Sequence, residues 1–230
     1  MRRIILLMLT AALGLTLAPA GHAQLPASFP AAGDILDNVL TVRARPALDA
    51  RVIKRLPAVR SDQRLTIVHA TTGTTDAAGR AWVRVALQML PNNTKGWALA
   101  DSVALYPIRK RIVVDLSSHS VKLFRGNRVL VSTRKVGIGK RATPTPLGYY
   151  YVAAGYRLPG RGYGVWALET SAYSPTLTDW PGGGKVGIHG TFNPGILPGA
   201  VSHGCVRVPN AVILQLKRLA PAGTAIIVRR

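Results

Sequence analysis

Val186-Gly187-Ile188-His189-Gly190-Thr191, followed by Ser202-His203-Gly204-Cys205-Val206-Arg207, is the stretch from which the rest of the chain is read. It holds two of the five histidines and the only cysteine of 230 residues. A thiol attacks as thiolate, so a nucleophilic cysteine at neutral pH needs a base or a cation close by. His203 lies two residues before Cys205, and on a strand the two side chains would share a face. Gly204 makes a turn equally available. His189 lies sixteen residues before the thiol and must arrive on a neighbouring segment. Gly190 and Gly204 leave bare backbone beside the reactive groups, which suits amides that stabilise an oxyanion. A metal site built from His189, His203 and Cys205 lacks the paired-cysteine spacing of structural zinc sites, and no metal is expected.

The run Ser202-His203-Gly204-Cys205-Val206-Arg207, with the upstream pair His189-Gly190, resembles the signature of the L,D-transpeptidase family. The resemblance implies a β-rich, YkuD-type catalytic domain in which Cys205 is the nucleophile and His189 takes its proton. It implies that Gly190 orients His189 through its carbonyl and that the Gly204 and Cys205 amides hold the oxyanion. His203 would support the thiolate or bind substrate. Arg207 offers a fork for a substrate carboxylate, with Ser202 beside it, and Tyr173 is a candidate hydroxyl donor. The implied donor is a peptidoglycan stem tetrapeptide, cleaved before its terminal D-Ala. Its acyl group would pass through a thioester to the amine of another stem, giving a 3→3 cross-link, or to a D-amino acid. Capture by carbapenems at Cys205, without any cofactor, also follows from the resemblance. An L,D-carboxypeptidase that uses water as acceptor would need the same residues. A non-catalytic wall-binding protein is the other alternative, although a binder has no use for an unpaired nucleophile.

Upstream, residues 1–23 read as a secretory signal peptide: Arg2-Arg3, an apolar run from Ile4 to Leu17, then small residues up to Ala23. That apolar run is short for a membrane span, which needs about 20 residues. Export to the periplasm or cell wall fits the cysteine count, since a single thiol cannot form an internal staple. The formal charge is +21, and Arg2 and Arg3 account for two of those charges, leaving +19. Outside the cytoplasm such a field favours peptidoglycan, anionic wall polymer or a membrane surface as partner. No nucleic-acid motif appears, and nucleic acid is not expected. The oligomeric state is open.

The remaining chain divides by composition. Residues 24–33, rich in Pro and Ala, are expected to be a flexible lead-in. Residues 34–106 carry five short β-branched runs, at 39–42, 52–56, 65–68, 82–85 and 96–98, which predict a small barrel. Leu40-Thr41-Val42-Arg43-Ala44-Arg45-Pro46, Trp82-Val83-Arg84-Val85 and Gly96-Trp97-Ala98 resemble a bacterial SH3-like domain, which implies a binding or positioning role. Trp82 and Trp97 are read as core residues first, as aromatics usually are. Pro107 to Arg111 is the expected link, and residues 110–230 the catalytic domain, mainly β with one short helix.

Within that domain, Gly126-Asn127 between apolar runs predicts a type II′ hairpin. Thr143-Pro144-Thr145-Pro146-Leu147-Gly148 reads as a rigid turn feeding a strand. It resembles the family's Thr-Pro-x-Gly segment with Pro146-Leu147 inserted. The glycine- and aromatic-rich stretch 155–187 reads either as a mobile lid or as an irregular packed connection. Asn210 is the expected cap of a helix over 211–219, stopped by Pro221 and Gly223 before a last strand.

Overall fold

The structure, a computed structural model, describes residues 25–158, 161–177 and 183–230. The expected signal peptide and Trp180 lie outside them. In the first half, seven short strands follow in order: β1 (Ala31–Ile35), β2 (Val39–Arg43), β3 (Val52–Pro57), β4 (Ile67–Thr75), β5 (Ala81–Ala86), β6 (Lys95–Leu99) and β7 (Val103–Pro107). They hydrogen-bond in the order β3-β2-β6-β5-β4-β1-β7. The five expected runs are β2 to β6; β1 and β7 are additional. Strand β1 corrects the flexible lead-in. Ala31 and Ala32 are fully buried, and β1 pairs antiparallel with both β4 and β7. Its first three residues are small because the backbones approach closely there: a Cβ at Gly33 would collide with the Ala104 carbonyl oxygen. Leu25 and Phe29 pack on the same core, where Leu40, Val42, Val68, Val83 and Val85 gather. Trp82 is buried beside them, its indole N–H donating to the Asp76 carboxylate at 2.9 Å, which fits a structural role.

Two residues, Ile108 and Arg109, join this sheet to the second, a shorter link than the sequence suggested. The second half continues with β8 (Lys110–Asp115), β9 (Ser120–Arg125), β10 (Arg128–Thr133), β11 (Gly137–Gly139), β12 (Gly148–Tyr156) and β13 (Ala167–Tyr173). Then come β14 (Lys185–His189), β15 (Gly199–Ser202), β16 (Val206–Arg207), helix α1 (Asn210–Leu219) and β17 (Ala225–Arg229). The ten strands order as β10-β9-β8-β17-β12-β13-β14-β16-β11-β15, with β17 paired parallel to β8 and β14 parallel to β16. The architecture is mainly β, with one α-helix among the described residues. The β9–β10 hairpin turns at Gly126, where φ is +57°, a value that the type II′ position asks of glycine.

Alternation puts Ile112, Val114, Val121 and Leu123 in one core with Val186, Ile188 and Val206, closed by Ile213 and Leu216 of α1. Pro209, not Asn210, is the residue before that helix, and no side chain caps it. The Asn210 side chain is instead used across the chain, accepting the Val165 N–H at 3.2 Å. In the stretch expected as a lid or irregular connection, residues 155–156, 167–173 and 185–187 are paired strand, and the other described residues form a short 3₁₀ turn and irregular backbone.

The first sheet docks on β12, β13 and the turn before β17. His69, fully buried, places Nδ1 2.9 Å from the Gly223 carbonyl oxygen and Nε2 2.8 Å from the Tyr149 hydroxyl, and stacks on Tyr151. Arg60 pairs with Glu169 at 3.0 Å, and Gln88 donates to the same carboxylate at 2.6 Å. Asn92 clasps both backbone groups of Tyr173.

Candidate active site

The parallel pairing of β14 with β16 sets Ile188 against Val206 and His189 against Arg207. Ile188 and Val206 are buried in the core, at 1% and 2% exposure. By alternation, His189, Arg207 and Gly187 point to the opposite face, and Cys205, in the turn just before β16, brings its Sγ to the Gly187 N–H. Glu169 stands opposite Gly187 across the β13–β14 ladder. A row therefore runs across the sheet from Glu169 over bare backbone at Gly187 to Cys205. Sheet register brings the strand of His189 beside the segment that carries the thiol.

Residues 203–205 form a turn rather than a strand, so alternation does not tie His203 to Cys205. Gly204 sits at φ +115°, a conformation in which a Cβ would be strained. Hydroxyl groups hold this turn. Ser202 Oγ donates to the Cys205 carbonyl at 2.6 Å and accepts the Gly204 N–H at 3.1 Å. Thr145 Oγ1 donates to the Gly204 carbonyl and accepts the Gly139 N–H, both at 2.9 Å. Two expectations change as a result. Ser202 is buried at 1% exposure, and its hydroxyl fixes the turn instead of facing substrate. The Gly204 amide is already engaged and is not a free oxyanion donor.

Cys205 is half-buried, and the Gly187 N–H donates to its Sγ at 3.4 Å. Burial pushes the thiol above its ordinary value, against smaller downward pulls from that N–H and from the Arg207 guanidinium. His189 is buried at 3% exposure with Nδ1 2.7 Å from the Gly190 carbonyl oxygen. A carbonyl only accepts, so Nδ1 carries the hydrogen and the neutral ring keeps its lone pair on Nε2. Burial lowers the His189 pKa to about 4, opposed by the Gly190 contact and assisted by Arg207. Thiol and imidazole are thus both neutral at pH 7, rather than a preformed ion pair. The Tyr163 ring meets the imidazole edge-on, centroids 5.2 Å apart.

Among the expected residues, Arg207 is half-buried, its Nε shielded from solvent and without a partner among the described residues. His203 is exposed on the turn. Tyr173 pairs with Lys185 at the end of β14 away from His189, and no hydrogen bond joins its hydroxyl to another described residue. Lys185 stands two residues before Gly187, the donor to the thiol, on the same strand. Three contributors escaped the sequence reading: Tyr163, Thr145 and Gly187. Tyr163 stood out only as one aromatic of several, and Thr145 only as a turn residue. A backbone donor such as Gly187 N–H leaves no side-chain signal. Among the described residues, no group of three or more His, Cys, Asp or Glu side chains gathers to hold a metal ion.

Residues 109–228 match the family model described as the YkuD L,D-transpeptidase catalytic domain. A Bacillus subtilis protein assigned as L,D-transpeptidase YkuD is 31% identical over 150 residues, which cover 63% of this chain and 84% of that protein. Its Bacillus licheniformis counterpart is 34% identical over 116 residues, 50% of this chain and 63% of that one. Among solved structures, the catalytic domain of the E. faecium L,D-transpeptidase aligns at 26% identity with a TM-score of 0.39. That alignment covers 52% of this chain and 95% of the other.

Proposed function

The chain belongs to the YkuD family of L,D-transpeptidase catalytic domains, and from that premise we propose that it transfers the acyl group of a peptidoglycan stem tetrapeptide through a thioester on Cys205. The supporting observation is that the β14–β16 register sets His189 opposite Arg207 while the Gly187 N–H of the same strand meets Cys205 Sγ. Sγ attacks the carbonyl carbon of the third stem residue while its proton passes to Nε2 of His189. A base held neutral down to about pH 4 is ready for that proton throughout the neutral range. The Cys205 N–H receives the developing oxyanion, the Gly204 amide being occupied by Ser202. The Gly190 carbonyl steadies the imidazolium, which then protonates the departing D-Ala amine. The amine of a second stem attacks the thioester, gives a proton to His189 and displaces the thiol, forming a 3→3 cross-link. A D-amino acid in place of that amine gives exchange. The Arg207 fork takes a substrate carboxylate.

The reading extends to setting. The chain works outside the cytoplasm after loss of residues 1–23, on peptidoglycan, with the SH3-like half positioning it on the wall. Mass spectrometry of a disaccharide-tetrapeptide incubated with the protein, with and without a D-amino acid, tests the reaction. Dimer or exchanged product that disappears in Cys205→Ala supports transpeptidation. Tripeptide alone makes the protein an L,D-carboxypeptidase, and untouched substrate with a reduced thiol makes it a wall binder. His189→Ala should lower thioester formation by about 10²–10⁴-fold while leaving the fold intact.

A further inference from the structure

The loop that buttresses the nucleophile turn also walls a second opening. A groove of about 570 Å³ lies along it, within the range of about 300–1,000 Å³ that small-molecule and peptide sites occupy. Lys140, Arg141 and Arg230 line it, and no acidic residue does. None of the three has a carboxylate partner among the described residues, although each is exposed. Elsewhere in the molecule cations do find acids: Arg229 pairs with Asp115, Arg80 with Asp76 and Lys185 with Glu169. The floor is apolar, formed by Ile138, Pro144, Pro146 and Leu147, the last 44% exposed. Asn92 of the first sheet contributes to the wall, so both halves of the chain shape the groove.

This groove is distinct from the reactive face but mechanically joined to it. The Lys140 N–H donates to the Ser202 carbonyl at 3.0 Å, and Thr145, also in the lining, holds the Gly204 carbonyl.

We propose that the groove is an exosite for a carboxylate-bearing peptide, a second stem held beside the nucleophile turn while the first is processed. The proposal rests on the transpeptidase reading for the identity of the peptide and on the groove itself for its chemistry. Guanidinium forks pair bidentately with carboxylates, and an ammonium adds a point charge. Phosphate would satisfy the same cations, but it would leave the Ile, Pro and Leu floor against water. A peptide with methyl and methylene groups covers that floor while its carboxylates reach the rim.

The test separates this from the reaction. In full-length Cys205→Ala, which binds without turnover, titration calorimetry with a soluble tetrapeptide stem should resolve two sites. Lys140→Gln/Arg141→Gln/Arg230→Gln in that background should weaken one of them by about tenfold or more, the scale of lost charge-assisted hydrogen bonds. The same stem with its carboxylates amidated should lose that site in the unsubstituted groove. A single site, two sites unchanged in the triple variant, or equal binding of the amidated stem would each overturn the proposal. So would inorganic phosphate that occupies the groove and is not displaced by the stem. With Cys205 restored, the triple variant should still alkylate with iodoacetamide at the rate of the parent. If the parent turns over no stem at all, the transpeptidase reading falls, and the binding isotherms still decide the exosite.

Discussion

At the scale of the residue, the thiol and the imidazole lie on adjoining segments, share Arg207 as a nearby cation and are both neutral. Burial raises the thiol pKa, while burial also keeps His189 unprotonated down to about pH 4. Iodoacetamide alkylation of Cys205, followed by mass, should therefore keep accelerating past pH 9 and show no plateau near neutrality. A plateau near pH 7 would indicate a resting thiolate and overturn the neutral-pair description. Gly187 has its own consequence. A Cβ there would meet only the Leu168 carbonyl, its oxygen at 3.1 Å, so Gly187→Ala should fold. By alternation its methyl would project to the same face as His189, with no Cys205 atom within 4 Å of it. Acylation by a stem peptide should slow several-fold more than alkylation by the small reagent. Equal slowing of both would mean that the thiol itself, not its approach, had changed. Cys205, His189 and Arg207 stood out as candidates because they fall in short runs of distinctive residue types. Ser202 and Gly204 were misread because a sequence shows which groups are polar, not which are already hydrogen-bonded to each other.

At the scale of the element, the turn carrying Cys205 owes its shape to a loop some sixty residues earlier. Thr145 is 4% exposed and makes one hydrogen bond as donor and one as acceptor. Thr145→Val keeps the shape but leaves the Gly204 carbonyl and the Gly139 N–H unmatched in the interior. A loss of about 1–3 kcal/mol is expected in urea denaturation, with slower thioester formation by the same variant. Unchanged stability would mean that water or a shifted backbone replaces both bonds. Strands with alternating β-branched residues, such as Val113 and Val121, were visible from pattern alone. Strand β1 was not, because its alanines carry almost no propensity and enter the sheet for want of bulk. The cap of α1 was misplaced for a related reason: Asn210 bonds a residue on another segment, which no local rule foresees.

At the scale of the whole molecule, the two sheets meet around a histidine. Nδ1–H of His69 donates to Gly223, and Nε2 accepts from the Tyr149 hydroxyl, so the neutral ring is fully matched. Burial holds its pKa at about 4, with the Gly223 contact opposing and Lys95 assisting. The unfolded value is about 6.5, so between the two the unfolded chain binds more protons. Stability is level above about pH 6.5 and declines as the pH falls towards 4, by up to about 3 kcal/mol from this group. Buried His189 adds a decline of the same sign. Urea midpoints at pH 7.5 and 4.5 should therefore fall less in His69→Gln than in the parent, and an identical fall would remove His69 from the account. The family and the β-rich character were readable from the chain, but the docking of the halves was not, since Arg60, Gln88 and His69 look like ordinary surface residues in sequence. The strand order has a further consequence, one of timing. Strand β17 lies in the middle of the ten-stranded sheet, between β8 and β12, yet it follows Cys205 in the chain. A chain emerging from its amino end has made the cysteine before the strand that unites the sheet around it. On the proposed reading, its chemistry must wait for residues 225–229.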